Sequence, residues 1–252
     1  MVKIAKSRVD VLLVERGLAE SRDKAKALVM AGSVFSVDRR INKAGDILPS
    51  DCDLVVRSAL HPWVSRGGVK LVHAIEYFNL SVSDAVALDV GASTGGFTDV
   101  LLEYGARKVY AVDVGHGQLA WKLRQDDRVV VLERTNARHL SREQVPGPID
   151  VIVCDVSFIG LELVLPPSMN LAASSAVLVA LIKPQFEVGR DLVGKKGVVR
   201  DPALHAEVCL RIQDFVSCRP GWHVLGVLES PIQGPEGNRE FLLTAQYRAE
   251  SI

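Results

Sequence analysis

Four polar side chains stand where apolar stretches of the chain give out. Lys70 lies in "SRGGVKL", Asp155 in "VIVCDVSFI", Lys183 at the end of "AVLVALIK" and Glu240 in "GPEGNREFLL". The run from Ala176 to Ile182 reads as a buried strand, and Pro184, directly after Lys183, stops it. An amine at the exit of a core strand either snorkels back to water along its alkyl stem or is held there to work. Two amines and two carboxylates together suit proton transfer. A neutral lysine can accept the proton of a weakly acidic hydroxyl, and a neighbouring cation or partial burial favours the neutral form. Carboxylates hold such amines in place, but at short range they favour the ammonium, so geometry decides. For any one of these residues alone, a surface ion pair is the commoner fate.

A second constellation is "LDVGASTGGFTD", Leu88 to Asp99, which follows a strand pattern and opens a helix pattern. Gly91, Gly95 and Gly96 give G-x-x-x-G-G, which differs from the dinucleotide fingerprint G-x-G-x-x-G. Glycines there let a ligand approach the backbone, and the helix N-terminus supplies N–H donors. Twenty-four residues after Asp89, Asp113 ends the next strand pattern in "VYAVDVG". A carboxylate at that place can bind ribose hydroxyls. Close packing explains a single glycine turn equally well; the pairing with Asp113 favours a nucleoside site.

The elements that must position these residues alternate along the chain. Strand patterns "AVALDVG", "KVYAVDVG", "RVVVLER", "PIDVIVCDVS" and "SAVLVALIK" are separated by helix patterns "GGFTDVLLEYG", "GQLAWKLRQ" and "LELVLPPSMNLAA". The helix pattern "GGVKLVHAIEYFN" precedes them; "DPALHAEVCLRIQDFVSC" and the strands "WHVLGVLES" and "REFLLTAQYR" follow. This predicts an α/β fold with a seven-stranded, mostly parallel sheet, its last strand antiparallel. In such a sheet the carboxyl ends of the parallel strands line one crevice. Asp89, Asp113, Asp155 and Lys183 share that rim, and Glu240, at the start of an antiparallel strand, joins them.

The first 60 residues read differently. "RVDVLLVERG" has one apolar helical face and Gly17 to end it; Ser21 caps a second helix pattern, "RDKAKALVMAG", with Arg22, Lys24 and Lys26 in its first turns. Short β pieces "VFSV", "DILP" and "DLVV" follow. Residues 1–70 carry 13 Lys+Arg against 8 Asp+Glu, a net of +5, and residues 71–252 carry 17 against 22, a net of −5. A basic piece on an acidic body suits contact with phosphate, although a solvated basic surface alone would look the same. We expect a small α+β domain over 1–60, a linker over 61–66 and the α/β domain over 67–252. The four cysteines have no C-x-x-C or metal-ligand spacing and the six histidines form no metal-like cluster, so no metal is expected. No apolar stretch approaches the roughly 20 residues that span a bilayer, and the N-terminus has no signal core, which predicts a cytoplasmic protein.

Three resemblances sharpen these expectations. "SRVDVLLVERGLAESRDKAKALVMAGSVFSV" is similar to the S4-type RNA-binding domain, which implies RNA contact by Arg8, Arg22, Lys24 and Lys26. It departs at the hairpin, where Asp38-Arg39-Arg40 replaces the usual Asn-Gly. The glycine turn resembles the Rossmann-like class I S-adenosylmethionine-dependent methyltransferases. That implies S-adenosylmethionine as cofactor, the turn at its methionine part, Asp113 at its ribose and Asn136 at its adenine. Lys70, Asp155, Lys183 and Glu240 look like the K-D-K-E tetrad of FtsJ-type ribose 2′-O-methyltransferases. With "VSRGGVKL", "DVSFI", "LIKPQFEVGR" and "GVVRDP", nearly the whole chain is similar to the TlyA family, historically also named hemolysin. That likeness implies methylation of a ribose 2′-hydroxyl in 16S or 23S ribosomal RNA, or both, with cytidine as the nucleotide and ribosomal RNA or ribosomal subunits as partners. It places Ser65, Gly67, Asp89, Gly91, Ala92, Ser93, Gly95, Gly96, Phe97, Asp113, Asn136 and Asp155 around the cofactor. Arg66, Lys195 and Lys196 would meet RNA phosphates; the family often has glycine where this chain has Lys196. Lys183 would be the base, Lys70 would favour its neutral form and orient the ribose, and Asp155 and Glu240 would hold the amines. Other readings are an RNA-binding assembly factor with a vestigial cofactor site, a membrane-lysing protein and a nicotinamide-dependent oxidoreductase; the intact tetrad, the absence of a spanning segment and the glycine spacing weigh against each in turn.

Overall fold

A computed structural model describes residues 5–30, 32–37, 39–56 and 61–249, without the side chains of Arg190 and Pro235. The chain divides into two compact units, Met1–Pro62 and Trp63–Ile252.

In the first unit, β1 (Lys6–Arg8) leads directly into α1 (Val9–Glu15), and α2 (Arg22–Met30) packs against α1. Ser21 Oγ accepts from Lys24 N at 3.2 Å, so the expected cap forms. Gly17 and Gly32, at φ +67° and +76°, turn the chain after each helix. Two small antiparallel ladders follow. β4 (Ile47–Pro49) pairs with β1, while β2 (Val34–Ser36) pairs with β3 (Arg39–Arg40) and β5 (Val55–Val56). The core is Val9, Leu12, Leu13, Ala25, Val29, Val34, Ile41 and Leu54. The hairpin turn at Asp38 lies outside the described residues.

The second unit is a seven-stranded sheet in the order β11-β12-β10-β9-β6-β7-β8. Its strands are β6 (Val86–Val90), β7 (Lys108–Val112), β8 (Val129–Leu132), β9 (Ile149–Cys154), β10 (Ala172–Ile182), β11 (Trp222–Glu229) and β12 (Phe241–Arg248). Neighbours from β10 to β8 pair parallel; β12 runs antiparallel to both β10 and β11. The helices are α3 (Gly67–Tyr77), α4 (Gly96–Glu103), α5 (Trp121–Arg124), α6 (Leu161–Met169), α7 (Pro184–Glu187) and α8 (Pro202–Ser217). Two apolar clusters cover the two faces of the sheet, one built with α6 and α8, the other with α3 and α4. The central strands are apolar on both sides for that reason. Each fully buried Leu or Ile among them, such as Leu88, Ile152, Leu178 and Ile182, contributes roughly 1.5–3 kcal/mol by leaving water.

Three local outcomes differ from the sequence reading. "GQLAWKLRQ" yields only the single turn Trp121–Arg124, because Gly117 is left-handed at φ +68° and Ala120 is extended, its N–H given to Thr94 O. Strand β10 begins at Ala172, ahead of the apolar run, because Ala172 pairs with Ile149 before a register shift. Trp63 to Arg66, expected in the linker, belong to the second unit: Trp63 lies so close to Gly68 that a side chain there would strike it, and Val64 N donates to Asp99 Oδ2 at 2.8 Å.

Candidate active site

The carboxyl ends of β6, β7, β9 and β10 bring the predicted residues to one rim. At the end of β6 the glycine turn is set by backbone needs. Gly91 has φ +84°, and a Cβ there would sit 2.7 Å from Asp155 O. Gly95 has φ +96° as the residue before α4, and a Cβ on Gly96 would collide with Ser65 Oγ. Gly91 N and Ala92 N both donate to Val112 O, which ties the turn to β7. Ser65 Oγ accepts from Gly67 N at 3.3 Å, and Ser65, Gly67 and Gly96 lie side by side. Phe97 is 3% exposed and packs in the core.

Asp89 is fully buried on β6. Its Oδ2 accepts from Thr98 Oγ1 at 2.6 Å, while Oδ1 is buried without a hydrogen-bond partner. Burial pushes its carboxyl up to about 7, against the pull of the Thr98 hydrogen bonds and with a smaller push from Asp155 and Asp113. Asp113 is half-buried at the end of β7. Its Oδ2 accepts from Ser93 N at 2.7 Å and its Oδ1 from Gly115 N at 2.6 Å, which bends both loops around one carboxylate. Ser93 is itself left-handed, at φ +49°. Asn136 is a cap: its Oδ1 accepts from Arg138 N at 3.1 Å at the start of the 3₁₀ turn Ala137–His139. Nearby, Glu133 gathers Arg124, Gly117 N and His116, which together hold its carboxyl down at about 2.

The four chemical residues converge as a ladder of alternating charge. Glu240 Oε2 lies 2.6 Å from Lys70 Nζ, Lys70 Nζ 3.9 Å from Asp155 Oδ2, and Asp155 Oδ1 2.5 Å from Lys183 Nζ. Lys70, Lys183 and Glu240 are buried, at 6%, 8% and 1% exposure. Pairing makes such burial of charge tolerable. The 2.5 Å approach of Lys183 to Asp155 is a charge contact outside hydrogen-bond alignment; the hydrogen bond of Lys183 Nζ goes to Ser157 Oγ at 3.0 Å. Ser157 was missed from the sequence. It stands in "DVSFI", two residues after Asp155 on the loop leaving β9, where the sequence reading gives it no role. Lys70 faces Glu240 more closely than Asp155, so its first task is to compensate that carboxylate. A side chain on Gly234 would strike Glu240 Oε1, so the loop before β12 must be bare there.

A model of the FtsJ-like methyltransferase family matches residues 63–247. The chain belongs to the FtsJ-like methyltransferase family. Its likeness to one branch of that family runs further. The 16S/23S rRNA (cytidine-2′-O)-methyltransferase TlyA of Mycobacterium tuberculosis is 49% identical over 244 residues, covering 94% of this chain and 89% of that protein. Hemolysin A of Brachyspira hyodysenteriae is 42% identical over 238 residues, covering 93% and 98%. A solved structure from Streptococcus thermophilus, provisionally named a hemolysin, is 45% identical with a TM-score of 0.75, covering 98% and 90%.

The basic residues expected to meet RNA in this FtsJ-like methyltransferase lie in three places. In the first unit, Asp10 is 0% exposed and pairs with Arg8 at 2.9 Å and Arg22 at 2.8 Å. The Arg8 hydrogen bond, helped by Arg22, holds that carboxyl far below the usual range, and both guanidinium groups remain about half exposed. Lys24 and Lys26 are exposed on α2, Lys26 within 2.9 Å of Asp23. In the second unit, Arg66 precedes α3 at the glycine turn, and Lys195 and Lys196 are exposed on the loop before α8. Lys196 has φ +63°, a left-handed backbone that glycine adopts more readily than lysine. Among the described residues no group of His, Cys, Asp or Glu could hold a metal ion, and no helix is long and apolar enough to cross a membrane.

Proposed function

We propose that this methyltransferase moves a methyl group from S-adenosylmethionine to a ribose 2′-hydroxyl of ribosomal RNA, with Lys183 as proton acceptor. The observation that carries the reading is the Glu240–Lys70–Asp155–Lys183 ladder on the rim beside the glycine turn. The names of the Mycobacterium tuberculosis relative support cytidine in the 16S or 23S RNA as the target.

The residues present fit the cofactor. Asp89 offers a buried oxygen without a protein partner, a match for an ammonium group, and Asp113, steadied by Ser93 N and Gly115 N, would use its remaining lone pairs to accept from ribose hydroxyls. Gly91, Gly95 and Gly96 let the turn pack against Asp155, Leu123 and Ser65, where a Cβ would collide, and so fix the backbone that the cofactor would meet. S-adenosylmethionine supplies a sulfonium methyl already activated for transfer. The protein must then hold the 2′-oxygen in line and take its proton. Lys183, fixed by Asp155 and Ser157, is the amine nearest the strand end. Lys70, 3.9 Å from the other Asp155 oxygen, shares that carboxylate and so loosens its hold on Lys183. The neutral Lys183 amine would take the hydroxyl proton while the ribose oxygen bonds to the methyl carbon and that carbon's bond to sulfur breaks, the electron pair staying on sulfur as a neutral thioether. Phe158, 89% exposed on the Ser157 loop, offers a flat face to an unstacked base. Arg8, Arg22, Lys24, Lys26, Arg66, Lys195 and Lys196 supply phosphate contacts, and residues 1–60 act as an S4-type RNA-binding domain.

The test is single-turnover transfer of an isotope-labelled methyl with Lys183→Ala. We expect the rate to fall by about a hundredfold or more, the range typical of a lost general base. Cofactor affinity by titration calorimetry should stay close to wild type. Methyl transfer retained in that variant would remove Lys183 as the base.

A further inference from the structure

Lys183 and its partners lie on two segments that are tied together twice. One segment, from Asp155 to Leu161, leaves β9 and carries Asp155 and Ser157, both held to Lys183 Nζ. The other is α7, which starts directly after Lys183 and ends at Glu187. At its far end, Glu187 Oε1 accepts from Leu161 N at 2.9 Å. Between the two ties the rings of Phe158 and Phe186 lie 4.9 Å apart, centroid to centroid. The loop needs outside support, because Phe158 has φ +65° and a non-glycine residue held there costs about 1–3 kcal/mol.

Glu187 is an expensive way to fill space. Its side chain is 4% exposed, and burial pushes its carboxyl up. Arg211 on α8 offsets that cost, with Nη2 at 2.8 Å from Glu187 O and 3.3 Å from Oε2. An apolar side chain would pack there without desolvating a charge. What it could not do is hold Leu161 N, and through it the Ser157 loop, in register with α7.

We infer that Glu187 is a positioning residue for Lys183: its tie to Leu161 N fixes the loop that presents Asp155 and Ser157 to the amine. This rests on the proposed methyl transfer. The test compares Glu187→Gln, which keeps an oxygen for Leu161 N, with Glu187→Met, which keeps bulk but has none; Glu187→Ala is a second acceptor-free variant should the first not fold. Two readouts are taken on the full chain: single-turnover methyl transfer to ribosomal RNA, and hydrogen exchange of the Leu161 amide. We expect the acceptor-free variant to lose Leu161 protection and to slow transfer by about 10–100-fold at saturating RNA, the usual cost of a misplaced reacting group. Its KM for RNA should be little changed, and Glu187→Gln should recover protection and most of the rate. A near-wild-type rate in a variant whose Leu161 amide has lost protection would overturn the inference, as would equal slowing by Gln and Met. Undiminished Leu161 protection in the acceptor-free variant would also overturn it, whatever the activity. A wild-type protein that transfers no methyl would instead overturn the proposed function, with the exchange measurement still testing the tie.

Discussion

A carboxyl without water around it keeps its proton to higher pH, and Asp89 is such a group. Its unfolded form ionises in the ordinary range near 4, and its folded form only at about 7. Below the lower value both states hold the proton, so there is no effect on stability. As pH rises from about 4 to about 7 the unfolded state releases its proton first, so Asp89 progressively destabilises the fold; above about 7 the loss is constant. Asp89→Asn removes this term while keeping an acceptor for Thr98. Melting temperatures of variant and wild type should therefore converge near pH 4 and separate, in the variant's favour, towards pH 7. A gap that does not change with pH would show that the buried carboxyl is not perturbed. The proposed ligand role adds a second expectation: a cationic group at Oδ1 prefers the carboxylate, so cofactor affinity should rise with pH up to about 7. At this scale the sequence was informative about types. Asp155 and Lys183 stand where apolar strand runs end and Glu240 where one begins, while Lys70 needs the family resemblance to be placed with them. Ser157 and Glu187 were not legible, because a serine on a loop and a glutamate after a short helical turn carry no spacing signal.

The turn between β6 and α4 shows how an element constrains its residues. Gly91 combines a left-handed backbone with a carbonyl, Asp155 O, where a Cβ would come to 2.7 Å. Asp155 is also a rung of the charged ladder. Gly91→Ala should therefore destabilise the protein by about 1–3 kcal/mol through strain and also displace Asp155 and weaken cofactor binding. Calorimetric melting and cofactor titration check both; an alanine variant with wild-type stability and affinity would contradict the packing described. The strands were legible because an apolar run bounded by glycine, proline or a charge leaves little choice in a sheet covered on both faces. The rim order followed, since β6, β7, β9 and β10 run parallel and end together. The short α5 was over-read as a full helix: Trp121, Leu123 and their neighbours suit one, but Gly117 and Ala120 take non-helical backbone before it. The left-handed Lys196 was equally hidden, since lysine gives no hint of positive φ.

Across the whole chain, charge is divided between a first part of net +5 and a remainder of net −5. If the first unit meets RNA as proposed, its exposed α2 lysines neutralise phosphates, which releases counterions and makes binding depend on salt. Lys24→Glu with Lys26→Glu should weaken binding to ribosomal RNA and flatten the dependence of log affinity on log salt by roughly one to two units. The rate at saturating RNA should not move, because these lysines lie outside the catalytic ladder. An unchanged salt slope would take the first unit out of the RNA contact. The uneven charge and the helix pattern of the first part are read from the sequence alone, and the family likeness adds the chemistry. The central claim is that the rim ladder transfers a methyl to a ribose 2′-oxygen, and mass-spectrometric mapping of ribosomal RNA treated with the protein and S-adenosylmethionine tests it most directly. The account predicts a new 2′-O-methyl nucleotide, a cytidine, that is absent when Lys183→Ala replaces the wild type. No new modification, or a methyl placed on a base rather than on ribose, would contradict it.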